Sequence, residues 1–181
     1  EDDDVTTEKG LQKAKLAVSQ ERALLWASIP CTGGSPTWTV NVKQPGGPEK
    51  LAAHRKLFDQ IWQSFEIVAR ECVANGGKVA IEWPSHCTYW KLQKVQNLIK
   101  ELQLKRFRVN GCAMGLRGGS GNLPIAKPWD ICSNESAFAD VMGSYRCPGK
   151  SVHPRHCITG GAINKATERY TLRMVELIHK A

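Results

Sequence analysis

Cys31 stands in Pro30-Cys31-Thr32-Gly33-Gly34-Ser35-Pro36, straight after the apolar run Ala23-Leu24-Leu25-Trp26-Ala27-Ser28-Ile29. A proline on one side and a turn of small residues on the other fix a side chain rigidly and let a ligand approach the backbone. A thiol held there in an electropositive, partly exposed setting is a nucleophile. In an ordinary strand-to-loop turn it is a structural cysteine, and the segment alone leaves both readings open. Glu82 ends a second apolar run, Lys78-Val79-Ala80-Ile81-Glu82-Trp83, closed by Pro84. Burying a carboxylate there is costly unless it is paired or in use; otherwise it lies at a solvated strand end. If the two runs are neighbouring strands, thiol and carboxylate face one crevice, a pair suited to activating a ring nitrogen.

A third chemistry lies near the C-terminus, in a Cys/His-rich basic segment over residues 144–161. Cys147, His153, His156 and Cys157 are ligand types of a structural zinc site. Their spacing is not that of a standard zinc finger, and Cys132 or Cys112 can replace one of the four. The alternative is a basic, histidine-bearing loop that touches phosphate. The seven cysteines are odd in number, scattered and without a CxxC, which points to a reduced compartment rather than a disulfide framework. Cys72 and Cys132 read as small buried apolar side chains, and His54 as an ordinary helix histidine.

Charge adds a fourth element. Residues 91–127 hold eight Lys/Arg and one acid, Glu101, inside a chain of net charge +8. Lys91, Lys94, Lys105, Arg106, Arg108 and Lys127, with Trp90, Phe107 and Trp129 in or beside the segment, fit a sequence-independent, salt-sensitive nucleic-acid surface. The competing reading is a solvated helix face, on which Lys91, Lys94 and Lys100 would fall in any case.

The elements that must position these residues follow from periodicity. Thr6 to Gln20 has helical character, and Ala23 to Ile29 reads as a strand buried on both faces. Glu49 to Val73 repeats apolar residues at helical spacing and meets a stop at Gly76-Gly77. Lys78 to Trp83 is a strand, and a helix carrying Trp90, Val95, Leu98 and Leu102 follows. Lys105 to Asn110 and Pro128 to Cys132 are strands, and a last helix runs from about Lys165 to Lys180. This alternation predicts an α/β fold with a mostly parallel sheet and helices on both faces, whose working residues sit beyond the carboxyl ends of the strands. The 181 residues suit one domain over 1–181. Charged residues interrupt every apolar run, so no membrane span is expected. The acidic start, Glu1-Asp2-Asp3-Asp4, is unlike a secretory signal, so the chain reads as intracellular, nuclear or cytoplasmic.

Pro30-Cys31 with Ser35, then a long helix, then Ile81-Glu82-Trp83-Pro84, resembles the catalytic half of DNA cytosine-C5 methyltransferases. Gly111-Cys112-Ala113-Met114-Gly115-Leu116-Arg117 sits where that family has a Tyr-Gly loop and a glutamine-arginine pair. Ala166-Thr167-Glu168-Arg169-Tyr170-Thr171 and the last helix look like a short closing region. The resemblance extends over most of 23–180, and it is shared by methyltransferase-like modules of mobile-element polyproteins with Pro-Cys-Thr, Glu-Trp-Pro and a Cys/His-rich tail. It implies a Rossmann-like methyltransferase fold, S-adenosylmethionine as cofactor, and DNA rather than RNA as partner. Cys31 would attack carbon 6 of a flipped cytosine, Glu82 would hydrogen-bond its ring nitrogen and amine, Arg117 would be the active-site arginine, and Ser35 would face the nucleic acid. The Gly-rich cofactor turn expected before residue 23 is missing from the sequence. Either the chain is a fragment whose Asp2-Asp3-Asp4 ends that loop, or the domain has lost cofactor binding and serves as a nucleic-acid or protein binding module, zinc-stabilised, within a larger polyprotein.

Overall fold

The computed structural model describes residues 3–119, 121–153, 155–157 and 167–181. Glu1, Asp2, Ser120, Pro154 and residues 158–166, with the expected start of the last helix and Ala166, lie outside them. The chain divides into two compact units, Glu1–Lys105 with Cys132–Asn134, and Arg106–Ile131 with Glu135–Ala181.

In the first unit, helix α1 (Glu8–Val18) starts at Thr7, whose hydroxyl accepts from the Gly10 amide. Strand β1 (Leu24–Ala27) leads into the Cys31 turn, a short helix α2 (Trp38–Asn41) and the long helix α3 (Gly47–Ala74). Pro48 is tolerated in the first turn of α3 because its missing N–H would have no helical partner there. At the other end Gly76 takes the left-handed conformation, φ +78°, and Gly77 N–H donates to the Cys72 carbonyl at 2.8 Å, closing α3. Strand β2 (Lys78–Pro84) follows and pairs with β1 in parallel, Leu24 beside Lys78 and Ala27 beside Ile81. This is one βαβ crossover, with α3 packed on both strands. A 3-10 turn (Thr88–Lys91) and α4 (Gln93–Glu101) complete the unit, and Phe58, Trp62, Val68, Val79, Ile81, Trp83, Val95 and Leu98 form its core.

In the second unit lie β3 (Lys105–Asn110, its first residue in the first unit), a hairpin of β4 (Arg117–Gly118) and β5 (Leu123–Pro124), α5 (Ala137–Met142) and α6 (Leu172–Lys180). Thr171 caps α6, accepting from the Met174 amide at 3.2 Å. Strand β6 (Pro128–Ser133) contributes its first four residues to this unit and its last two to the other.

The strand order β1-β2-β6-β3 makes a mixed α/β sheet, in which β1 and β2 are parallel. The last residues of β6 lie beside the start of β2: Ser133 Oγ donates to the Val79 carbonyl at 2.7 Å, and Val79 N–H donates to Asn134 Oδ1 at 2.8 Å. β6 therefore runs against β2. A parallel neighbour needs a crossover connection, usually a helix, whereas the chain between β3 and β6 holds a 3-10 turn and a hairpin. β1 is also not buried on both faces. It is the edge strand, with Leu24 exposed and Leu25 and Trp26 half-buried.

Candidate functional site

The parallel register sets the first site. Ala27, the last residue of β1, pairs with Ile81, so the next residue along, Ser28, lies beside Glu82, two residues before the end of β2. Ser28 Oγ donates to Glu82 Oε2 at 3.4 Å and accepts from Trp26 Nε1 at 3.2 Å. Glu82 is 5% exposed, so its carboxyl is held inside the crevice and not at a solvated strand end. Cys31 is half-buried against the core and caps the 3-10 turn Thr32–Gly34. Indole donors pin both flanks of the thiol. Trp83 Nε1 donates to the Ile29 carbonyl, and Trp38 Nε1 donates to the Thr32 carbonyl, each at 2.6 Å. The buried bond to Ile29 on one side and the exposed bond to Thr32 on the other leave the turn little freedom.

The floor beneath the turn is Cys87 and Tyr89, which periodicity did not single out. A Cβ added to Gly34 would come within 2.8 Å of Cys87 Sγ and 2.9 Å of the Tyr89 ring, and one added to Gly33 within 2.3 Å of the Tyr89 hydroxyl. The two glycines are therefore required for close approach. Gly34→Ala is expected to lift the turn, lowering the thermal midpoint by several degrees and speeding alkylation of Cys31; an unchanged midpoint would show that the turn does not rest on this floor. Burial, with the Cys31 and Glu82 charges adding to it, pushes the Cys87 thiol up to about 12. Cys87 thus stays protonated at neutral pH and is a wall, which leaves Cys31 as the accessible thiol. Tyr89 is also pushed up to about 12, by burial first and by Cys87 next. Tyr89 stacks on Phe58 at 3.8 Å, and together with Arg55, Asp59 and Lys94 they line a groove of about 310 Å³.

The other predicted residues are distributed differently. Ser35 is half-buried, with its Oγ 2.9 Å from Thr37 Oγ1. Lys91 and Lys105 are exposed, while Lys94 is bound to Asp59 and lies over the Phe58 ring. In the second unit Arg106 and Arg108 both fork onto Asp130, which is 2% exposed. Burial alone would raise the Asp130 carboxyl; hydrogen bonds from Arg108 and Arg106, with their charge, outweigh it and hold it below the usual range. Lys127 Nζ donates to Thr167, and the exposed Arg117 donates from the β4–β5 hairpin to the Asn122 carbonyl at 3.2 Å. Asp130 was hidden in the sequence because it sits in an apolar run, Trp129-Asp130-Ile131.

S-adenosylmethionine is not fitted by the residues described before β1. They build α1, and its one glycine, Gly10, is packed so that a Cβ would meet the Asp4 carbonyl at 1.9 Å. That glycine serves the packing of the chain's own backbone, not a cradle for a ligand.

The second unit holds a second donor cluster. Ligand atoms of Cys112, Cys147, His153 and His156 lie within 4.8 Å of one another and can hold a metal ion. Cys112, from the 3-10 turn Gly111–Met114 after β3, takes the place expected of Cys157. Cys157 instead meets the hairpin region: its amide donates to the Pro124 carbonyl at 2.9 Å, and its Sγ would lie 2.9 Å from a Cβ on Gly119. Burial and the adjoining Cys147 push the Cys112 thiol up to about 11. Cys112 is one of the two cysteines that the sequence offered as a replacement for one of the four ligands.

No helix among the described residues is long and apolar enough to cross a membrane. Comparison of the chain with protein-family models, with curated proteins and with solved structures finds no match.

Proposed function

We propose that the chain is a methyltransferase-like domain that receives a nucleic-acid base at the carboxyl ends of β1 and β2, with Cys31 as nucleophile and Glu82 as its electrostatic partner. The observation that carries this reading is the parallel register, which brings the segment bearing Cys31 out of β1 beside the last residues of β2, where the buried Glu82 lies. A Rossmann-like ancestry for the sheet belongs to the same proposal, since the βαβ unit with α3 as crossover is its repeating element.

The chemistry assigned to the site is reversible addition. The Cys31 thiolate forms a bond to carbon 6 of a cytosine taken out of its stack, and the 5,6 double bond opens. Glu82 hydrogen-bonds the ring nitrogen and exocyclic amine, where the displaced electron pair accumulates. Carbon 5 then takes a proton from water. Loss of the original hydrogen from carbon 5 restores the double bond and expels the thiolate. This exchange is the part of the chemistry that needs no methyl donor; S-adenosylmethionine, when bound, would supply a methyl group to carbon 5 in place of the proton. A second reading is a binding module of this fold without turnover.

Exchange of tritium from carbon 5 of cytosine into water separates the two readings, since it needs no methyl donor. Single-stranded DNA, duplex DNA and RNA carrying [5-³H]cytosine serve as substrates, with DNA expected to exchange fastest. Cys31→Ser is expected to abolish the exchange, and Glu82→Gln to slow it roughly 10²-fold or more, the order seen for one lost oxyanion donor. Nucleic acid bound with salt-sensitive affinity but no exchange by the wild-type chain would establish the binding module instead.

A further inference from the structure

We infer that Cys112, Cys147, His153 and His156 form a closed structural zinc site, one ion per chain, that fastens the segment 147–156 to the end of β3. The inference is independent of the reading of Cys31 and Glu82.

The distances are those a tetrahedral ion requires. With zinc about 2.3 Å from sulfur and about 2.0 Å from nitrogen, adjacent sulfur and nitrogen ligands lie about 3.5 Å apart. Cys147 Sγ is 3.4 Å from His156 Nε2 and 3.7 Å from His153 Nδ1. All four donor atoms fall within 4.8 Å of one another, so one ion reaches them all without backbone rearrangement. Two sulfurs and two imidazole nitrogens, with no carboxylate, suit zinc and not magnesium or calcium, which take oxygen ligands. Two thiolates also balance the charge of a divalent ion. Because the protein fills four positions, none is left for a reactive water, which makes the site structural.

The backbone holds the donors together independently of an ion. Asn110, the last residue of β3, donates its amide to the Tyr145 carbonyl at 2.9 Å, and its Oδ1 accepts from the Cys147 amide at 3.1 Å. These two bonds bring Cys147 to Cys112, two residues beyond Asn110. Gly149, at φ +86°, then reverses the chain, and its carbonyl accepts from the His153 amide at 2.8 Å, returning the histidines to the thiols. His153 and His156 meet edge to face, 5.3 Å between ring centres, presenting Nδ1 of one and Nε2 of the other.

The test uses the full chain, untagged, reduced and purified without chelator, then supplied with zinc and desalted. Elemental analysis is expected to give one zinc per chain, and X-ray absorption two sulfurs and two nitrogens around it. Cobalt in its place is expected to show the intense visible bands of a tetrahedral ion and a thiolate-to-cobalt charge-transfer band. Cys157→Ser is expected to keep the full equivalent, and Cys112→Ser to weaken affinity at least 100-fold. Substoichiometric metal in the wild type, an octahedral cobalt spectrum, or loss of the ion in Cys157→Ser would each overturn the assignment. Should Cys112→Ser fail to fold, the sulfur count in the wild type decides alone: two supports the site, and fewer refutes it.

Discussion

Replacing Trp83 by alanine is expected to lower the unfolding free energy by about 3–5 kcal/mol, the range for an aromatic removed from a packed core. Trp83 is 1% exposed, and its ring lies 4.8 Å from Trp90, 5.8 Å from Trp62 and 6.0 Å from both Phe58 and Tyr89. Four of its neighbours are aromatic rings held by α3 or by the turn before α4, and such rings collapse poorly into a cavity. The expected cost therefore falls at the upper end of that range. Trp83→Phe separates packing from hydrogen bonding: it keeps most of the ring area but leaves the Ile29 carbonyl without its indole donor, which is expected to cost about 1–3 kcal/mol. The second readout is local. Ile29 lies two residues before Cys31, so Trp83→Phe is expected to speed alkylation of Cys31, followed by peptide mass spectrometry, more than alkylation of the buried Cys72. Denaturant unfolding that matches wild type, with unchanged Cys31 reactivity, would show that the indole does not position the turn.

This coupling of core to site explains what was legible in the sequence. The helix from Gly47 to Ala74 announced itself because Phe58, Ile61, Trp62, Phe65 and Cys72 repeat at helical spacing over many turns and Gly76 ends the pattern. The strand Lys78–Pro84 was legible because five consecutive residues from Val79 to Trp83 are buried, as an interior strand requires. Its parallel pairing with β1 followed from the helix between them. Direction elsewhere was not legible. Periodicity reports which face a strand buries but not which way it runs, so β6 read like its neighbours although Ser133 and Asn134 meet the beginning of β2. The edge position of β1 was hidden for a related reason, since Leu24 and Leu25 are as apolar as any core pair.

The sites divide in the same way. Cys31 and Glu82 were legible because one follows an apolar strand and the other ends the apolar part of the next, so both carry an address in the fold. The metal cluster was legible only in its local part. Cys147, His153 and His156 crowd one short segment, whereas the fourth donor arrives from the end of β3, and adjacency in sequence favoured Cys157. The basic stretch was misleading in another sense. Counting charges in 91–127 cannot register an acid beyond its end, and Asp130 engages two of those cations.

Asp130→Asn is accordingly expected to destabilise the chain by about 1–3 kcal/mol at neutral pH, less than for a fully buried pair because water screens the two half-exposed guanidinium groups. The asparagine amide would face Arg106 and Arg108 with donors where they need an acceptor. The pH dependence carries its own sign. The native carboxyl titrates below its usual value, so its stabilising contribution is complete above the unfolded-chain value of about 3.9 and is lost as pH falls through the lower native one. The difference between wild type and Asp130→Asn in urea unfolding is therefore expected to be constant from pH 7 to about 5 and to shrink below pH 4. A gap that instead widened in acid would mean that burial prevails over the two arginines and that Asp130 is a protonated core residue. The same substitution bears on the nucleic-acid surface. If the arginines are held by Asp130 alone, freeing them raises the net positive charge by one and strengthens binding to DNA at low salt, an effect that salt should erase. Weaker binding would mean that Asp130 holds the two forks in the geometry that phosphate requires, and β6 would then be part of the surface.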